Sequence, residues 1–94
     1  MSKIDYEQAA KIFKLFSHPT RLLIVVELLK GRKCVSGINE LVKVRQPNIS
    51  QHLSLLRLNG IVESKQNGKE ACYCLRKTEL VQCLLTFIKQ SKLV

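Results

Sequence analysis

Long apolar runs, aromatic residues and acidic residues are all scarce in this chain, and each scarcity excludes something. No unbroken apolar run is longer than the five residues of LLIVV at 22–26, far short of the roughly 20 residues a membrane-spanning helix needs. The opening MSKIDYEQAA has no apolar stretch after its lysine, and Asp5 and Glu7 follow at once. It therefore does not read as a signal peptide, and the expected location is the cytoplasm. Tryptophan is absent, and no segment joins a Lys/Arg face to Trp and Phe as a membrane-surface helix would. No phosphate-binding glycine loop, nucleophile–base pair or metal-ligand set is visible, so the chain does not read as an enzyme. Repeats, linkers and low-complexity tracts are also missing. Residues 1–94 are expected to form one domain, and a hydrophobic fraction of 46% favours folding over disorder.

Only seven Asp and Glu oppose 16 Lys and Arg, which leaves +9 on 10.7 kDa. Such an excess attracts a polyanion, because each neutralised phosphate releases condensed counterions. Nucleic acid is the first partner to test against this charge.

The spacing predicts helices first and a hairpin late. Asp5 is placed to cap a first helix carrying Ala9, Ile12, Phe13 and Phe16 on one side. His18-Pro19 breaks it, and Pro19 suits the first turn of a second helix. Leu22, Leu23, Val26 and Leu29 are its expected buried face, and Gly31 its end. Ser36 is expected to cap a short third helix holding Ile38, Leu41 and Val42. A break at 43–46 leads to Pro47 and a fourth helix closed by Gly60. The period then changes to two. Strands over 61–66 and 69–76 are expected around Asn67-Gly68, a strong hairpin signal. A last helix over about 78–90 offers Leu80, Val81, Leu84, Phe87 and Ile88. Two short helices with a tight break, followed by a hairpin, describe a winged helix-turn-helix. The expectation is a mainly α fold of about five helices plus a two-stranded wing.

In that motif the second helix of the pair enters the major groove. Ile49, Leu53 and Leu56 would hold it to the domain, leaving the opposite side to read bases. Gln and Asn bond bidentately to adenine, and Ser serves either base type. The expected base readers are Gln46, Asn48, Ser50, Gln51 and Ser54. Lys43 and Arg45 before the helix, and Lys65 and Lys69 at the hairpin tip, are expected on phosphates. Lysines at the tip also discourage edge pairing. His52 lies nearer the core edge, where a packing or phosphate contact fits better than a metal-ligand role. Two placements are open for Leu55 and Leu58: under the last helix, or against a thymine methyl.

These residues resemble the ArsR/SmtB family of winged-helix repressors. The matching stretches are LFSHPTRLLIVVELL (15–29), CVSGINELV (34–42), RQPNISQHLSLLRLNGIVE (45–63) and NGKEACYCL (67–75). The resemblance covers nearly the whole chain. It implies a homodimer built on the first and last helices, bound to an inverted-repeat operator and released by an inducer. Ile4, Tyr6, Leu80, Leu84 and Phe87 fit that dimer, because they supply more apolar surface than a small monomer easily covers. The competing reading is a winged-helix protein-interaction module without specific DNA binding.

Four cysteines remain: Cys34, Cys72, Cys74 and Cys83. Their spacing matches neither a zinc finger nor a C-x-x-C redox motif, and in a cytosolic chain they are expected to be reduced. Metal-sensing relatives often begin a Cys-Val-Cys motif where this chain reads Cys34-Val35-Ser36, so the second thiolate is missing. The last-helix zinc site of other members wants Asp and His, where this chain has Lys77, Thr78, Glu79 and Gln90. Persulfide-sensing relatives carry a cysteine where this chain has Val25 and Val26. With Ala71, Tyr73 and Leu75 facing the core, Cys72 and Cys74 should both face out, about 7 Å apart. That is far for a disulfide. With Cys83 or Cys34 they form the candidate thiol-sensing set, and a soft metal or metalloid held by cysteines is the cofactor class left open.

Overall fold

The computed structural model describes residues 3–42 and 49–92. Helix α1 (Tyr6–Leu15) begins where the sequence predicts, with the Asp5 carboxylate accepting from the amides of Glu7 and Gln8 at 3.1 and 3.2 Å. Such a cap satisfies donors that the first helical turn leaves unpaired. Helix α2 (Pro19–Leu28) starts at the proline, and His18 caps it by accepting from the Thr20 amide through Nδ1 at 3.1 Å.

The buried face of α2 differs from expectation. Ile24, Val25 and Leu28 are buried, whereas Leu22 only packs at the margin and Leu23 is 37% exposed. LLIVV is apolar all round the helix, so periodicity cannot select a side. Packing against α3 (Val35–Val42), α4 (Ile49–Leu58) and α5 (Thr78–Ser91) selects it.

The sheet has three strands rather than the expected two. Strand β1 (Lys33–Cys34) pairs antiparallel with β3 (Glu70–Leu75), which pairs with β2 (Val62–Asn67), giving the order β1-β3-β2. A two-residue strand leaves no alternation to read, so the sequence could not announce β1. The hairpin turn is also displaced by one residue. Asn67 pairs with Glu70, leaving Gly68-Lys69 as the two-residue connection. Gly68 has φ +66°, a backbone conformation that glycine adopts without a Cβ penalty, and Lys69 does not share it. This is a Gly-X connection instead of the expected Asn-Gly one.

Ser36 does not cap α3 with its own side chain. Glu70 of β3 takes that role across the fold, accepting from the Ser36 amide at 3.0 Å and from its hydroxyl at 3.3 Å. The core runs from Leu15 and Phe16 through Ile24, Val25 and Leu28 to Ile38, Val42, Ile49, Leu53 and Leu56. Ile61 and Val62 of the hairpin base and Val81 of α5 complete it. Among the described residues no helix is long and apolar enough to cross a membrane.

Candidate nucleic-acid interface

Helix α4 is two-faced. Ile49, His52, Leu53 and Leu56 are buried, while Ser50, Gln51 and Ser54 are exposed. The 100° step per residue dictates this separation, because the buried set falls at i, i+3, i+4 and i+7. The helix stops sharply. The Gly60 amide donates to the Arg57 carbonyl and the Ile61 amide to the Leu56 carbonyl, both at 3.0 Å. This paired closure needs a left-handed residue, and Gly60 supplies it at φ +73°. Ile61 and Val62 then drop into the core, which fixes where the hairpin leaves the helix.

Ser50, Gln51 and Ser54 thus occupy the exposed side expected of base readers, and Lys65 and Lys69 stand exposed at the hairpin tip. Gln46, Asn48, Lys43 and Arg45 lie outside the described residues. Leu55 and Leu58 do not pack under the last helix. They are 39% and 75% exposed, and Leu55 borders α1, where it lines a hollow with Lys11, Lys14 and Leu15.

His52 turns inward, so of the two contacts expected of it the structure shows the packing one. Its ring is 8% exposed and lies 4.3 Å, centroid to centroid, from the ring of His18. Its Nδ1 lies 3.2 Å from Nη1 of Arg21. Arginine can only donate, so His52 accepts at Nδ1 and is neutral in this contact. Burial lowers its pKa, and the neighbouring His18 and Arg21 add to the effect. Arg21 also donates from Nε to the Leu15 carbonyl at 2.7 Å and from Nη2 to the Lys14 carbonyl at 3.3 Å. One guanidinium therefore closes the end of α1 and holds the buried side of α4. Pro19-Thr20-Arg21 stands out in the sequence, but nothing local gives the arginine this role, because its partners lie on two other helices, α1 and α4.

The cysteines divide. Cys72 lies on the side of β3 away from the main core, as expected, but it is 1% exposed, because β1 runs alongside and places Cys34 opposite it. The two are joined by a disulfide, which corrects the expectation of four reduced thiols. Cys74 donates to Glu63 Oε1 at 3.4 Å, and burial together with that carboxylate raises its pKa. It is therefore a poor nucleophile. Cys83 is exposed on α5, away from the pair. Among the described residues no cluster of three or more His, Cys, Asp or Glu side chains could hold a metal ion.

Helices α1 and α5 leave an apolar groove of about 670 Å³. Ile12, Phe13 and Phe16 line one wall, and Leu80, Leu84 and Phe87 the other. Ile4 and Tyr6, at 64% and 77% exposure, extend the apolar surface beyond it.

The fold and its two surfaces can be set beside known proteins. Residues 18–64 match the family described as "Bacterial regulatory protein, arsR family". The "Biofilm growth-associated repressor" of Xylella fastidiosa is 37% identical over 100 residues, covering 98% of this chain and 88% of that protein. The "Uncharacterized HTH-type transcriptional regulator MJ1325" of Methanocaldococcus jannaschii is 47% identical over 64 residues, covering 67% and 72%. The crystal structure of "the transcriptional repressor BigR from Xylella fastidiosa" superposes with a TM-score of 0.78 at 32% identity, covering 89% of this chain and 86% of that one. These proteins are regulators rather than enzymes. With its two-faced fourth helix and basic hairpin, this chain belongs to the arsR family and is a DNA-binding winged helix-turn-helix regulator of transcription.

Proposed function

We propose that the chain is a homodimeric repressor that binds an inverted-repeat operator and acts in the cytoplasm. The observation that carries this reading is α4: its core face is anchored through Ile49, Leu53, Leu56 and the Arg21–His52 contact, while Ser50, Gln51 and Ser54 stand free. A rigidly mounted polar face can read base edges, since the orientation of each amide or hydroxyl is set before contact. Gln46, Asn48, Ser50, Gln51 and Ser54 are the proposed readers. Lys43, Arg45, Lys65 and Lys69 are the proposed phosphate contacts, which position the domain without selecting a sequence.

The groove of α1 and α5 supports the dimer. Two copies meeting there would bury Phe13 and Phe87, each 71% exposed, and would present two α4 helices related by a two-fold axis. Such pairs fit half-sites one DNA turn apart, ~34–36 Å. A thiol-reactive or soft-metal inducer acting through the cysteines would release the complex from DNA.

Selection of bound sites from random double-stranded DNA tests the reading. The expected result is a palindrome, bound with an affinity that falls steeply with salt. Salt-insensitive capture of a protein partner, with no enrichment of any duplex sequence, would instead make the chain an interaction module.

A further inference from the structure

We propose that Cys34 and Cys72 form a reversible redox clamp, closed by exchange with a small amino-acid or peptide disulfide, that tightens DNA binding by fixing the helix-turn-helix to the wing. The inference deepens the DNA-binding reading and rests on it.

Three placements carry it. First, Cys34 and Cys72 are direct register partners of the β1–β3 ladder, so the pairing of the strands itself brings the two side chains opposite each other. Second, the two sulfurs differ in access. Cys72 is 1% exposed, whereas half-buried Cys34 opens onto a hollow of about 810 Å³ lined by Lys33, Gly37, Glu40 and Leu41. Lys33 and Glu40 give it one charge of each sign, which suits a reagent carrying both carboxylate and ammonium groups. Third, the bond joins functional parts. Cys34 directly precedes α3, the first helix of the DNA-binding pair, and Cys72 is in the wing strand. The Ser36–Glu70 hydrogen bonds lie at the same joint.

The chemistry follows from access. The Cys34 thiolate attacks one sulfur of the disulfide RSSR, forming Cys34–S–S–R and releasing RS⁻. The Cys72 thiolate then attacks the Cys34 sulfur, breaking that bond and releasing the second RS⁻. The protons of Cys34 and Cys72 end on the two leaving thiolates. The protein dithiol is oxidised to a disulfide, and one RSSR is reduced to two RSH. Closure removes freedom between α3 and the wing, which otherwise has to be lost on DNA, so the oxidised form is preorganised.

The test uses the full chain equilibrated with glutathione and glutathione disulfide at graded ratios. Peptide mass mapping, melting and DNA affinity are read on each sample. Oxidised protein is expected to carry the Cys34–Cys72 link, to melt roughly 10–20 °C higher and to bind its selected operator roughly three- to tenfold more tightly. Cys74→Ser and Cys83→Ser should keep all three effects. Cys72→Ser should trap glutathione on Cys34. Lys33→Ala with Glu40→Ala should slow exchange with glutathione disulfide but not with uncharged hydroxyethyl disulfide. Glutathione trapped on Cys74 or Cys83 with Cys34 unmodified would overturn the proposal. So would a Cys34–Cys72 bond that leaves operator affinity unchanged or weakens it. Absence of DNA binding in every redox state would instead sink the DNA-binding reading, and mass mapping would still decide whether the exchange occurs at Cys34.

Discussion

Helices α2 and α5 spend their apolar residues in opposite ways. In ten residues α2 buries Thr20, Ile24, Val25 and Leu28, while in fourteen α5 buries only Val81. α1 resembles α5, with Leu15 alone buried and Ile12 and Phe13 left 48% and 71% exposed. The inner helices are thus satisfied within one chain, and the outer pair keeps an apolar face that one chain cannot cover. Exposed aromatic surface of this kind marks an interface, so the division between a self-contained DNA-reading half and an unsatisfied outer half is itself a functional statement.

The comparison can be broken first at its inner side. Leu56→Ala removes a fully buried side chain at the centre of the core. It should cost about 2–5 kcal/mol in a domain whose whole stability is on the order of 5–15 kcal/mol. Chemical denaturation measures this, and a loss below about 1 kcal/mol would mean that α4 is not anchored as described.

At the outer side, Phe87→Glu should leave the helical circular dichroism intact while converting dimer to monomer in sedimentation. Operator affinity should fall roughly 10²–10⁴-fold as one half-site contact is lost. Sedimentation as a dimer would move the interface off α5.

Gln51→Ala sharpens the inner half. It should remove about 1–3 kcal/mol of discrimination at one base position and spare nonspecific affinity. A uniform loss on all duplexes would make Gln51 a backbone contact.

The His52 contact predicts a smaller, pH-dependent effect. Its folded pKa is lowered, so the unfolded chain takes up the proton more readily. The stabilisation is complete above the unfolded value of about 6.5 and declines as pH falls through that value toward the lowered one. His52→Asn keeps an acceptor that cannot be protonated, and should flatten this part of the stability–pH curve. An unchanged curve would place the titration elsewhere.

The least change is expected from Lys65→Ala with Lys69→Ala. Sequence preference should persist, while the slope of log affinity against log salt drops by about 2. An unaltered slope would remove the wing from the phosphates.

Much of the architecture was legible because it is written in local chemistry. The Asp5 cap, the Pro19 start, the Gly60 stop and the 3.6-residue spacing of Ile49, Leu53 and Leu56 act over a few neighbouring residues. The candidate readers Ser50, Gln51 and Ser54 followed from that same spacing. Legibility failed where partners are far apart in the chain. Nothing around residue 34 announces a strand, since β1 exists only because β3 offers it an edge. The hairpin slipped by one residue from Asn67-Gly68 to Gly68-Lys69, because cross-strand packing chose between two acceptable glycine turns.

The sequence by itself determined the helices, the winged arrangement, the basic charge and the side of α4 left for a ligand. These depend on residue period and composition, which the chain carries locally. Only the tertiary structure decided that His52 faces Arg21, that Glu70 caps α3 and that Cys34 meets Cys72. Those contacts join residues 31, 34 and 38 positions apart, and separations of that length are set by how the packed elements meet.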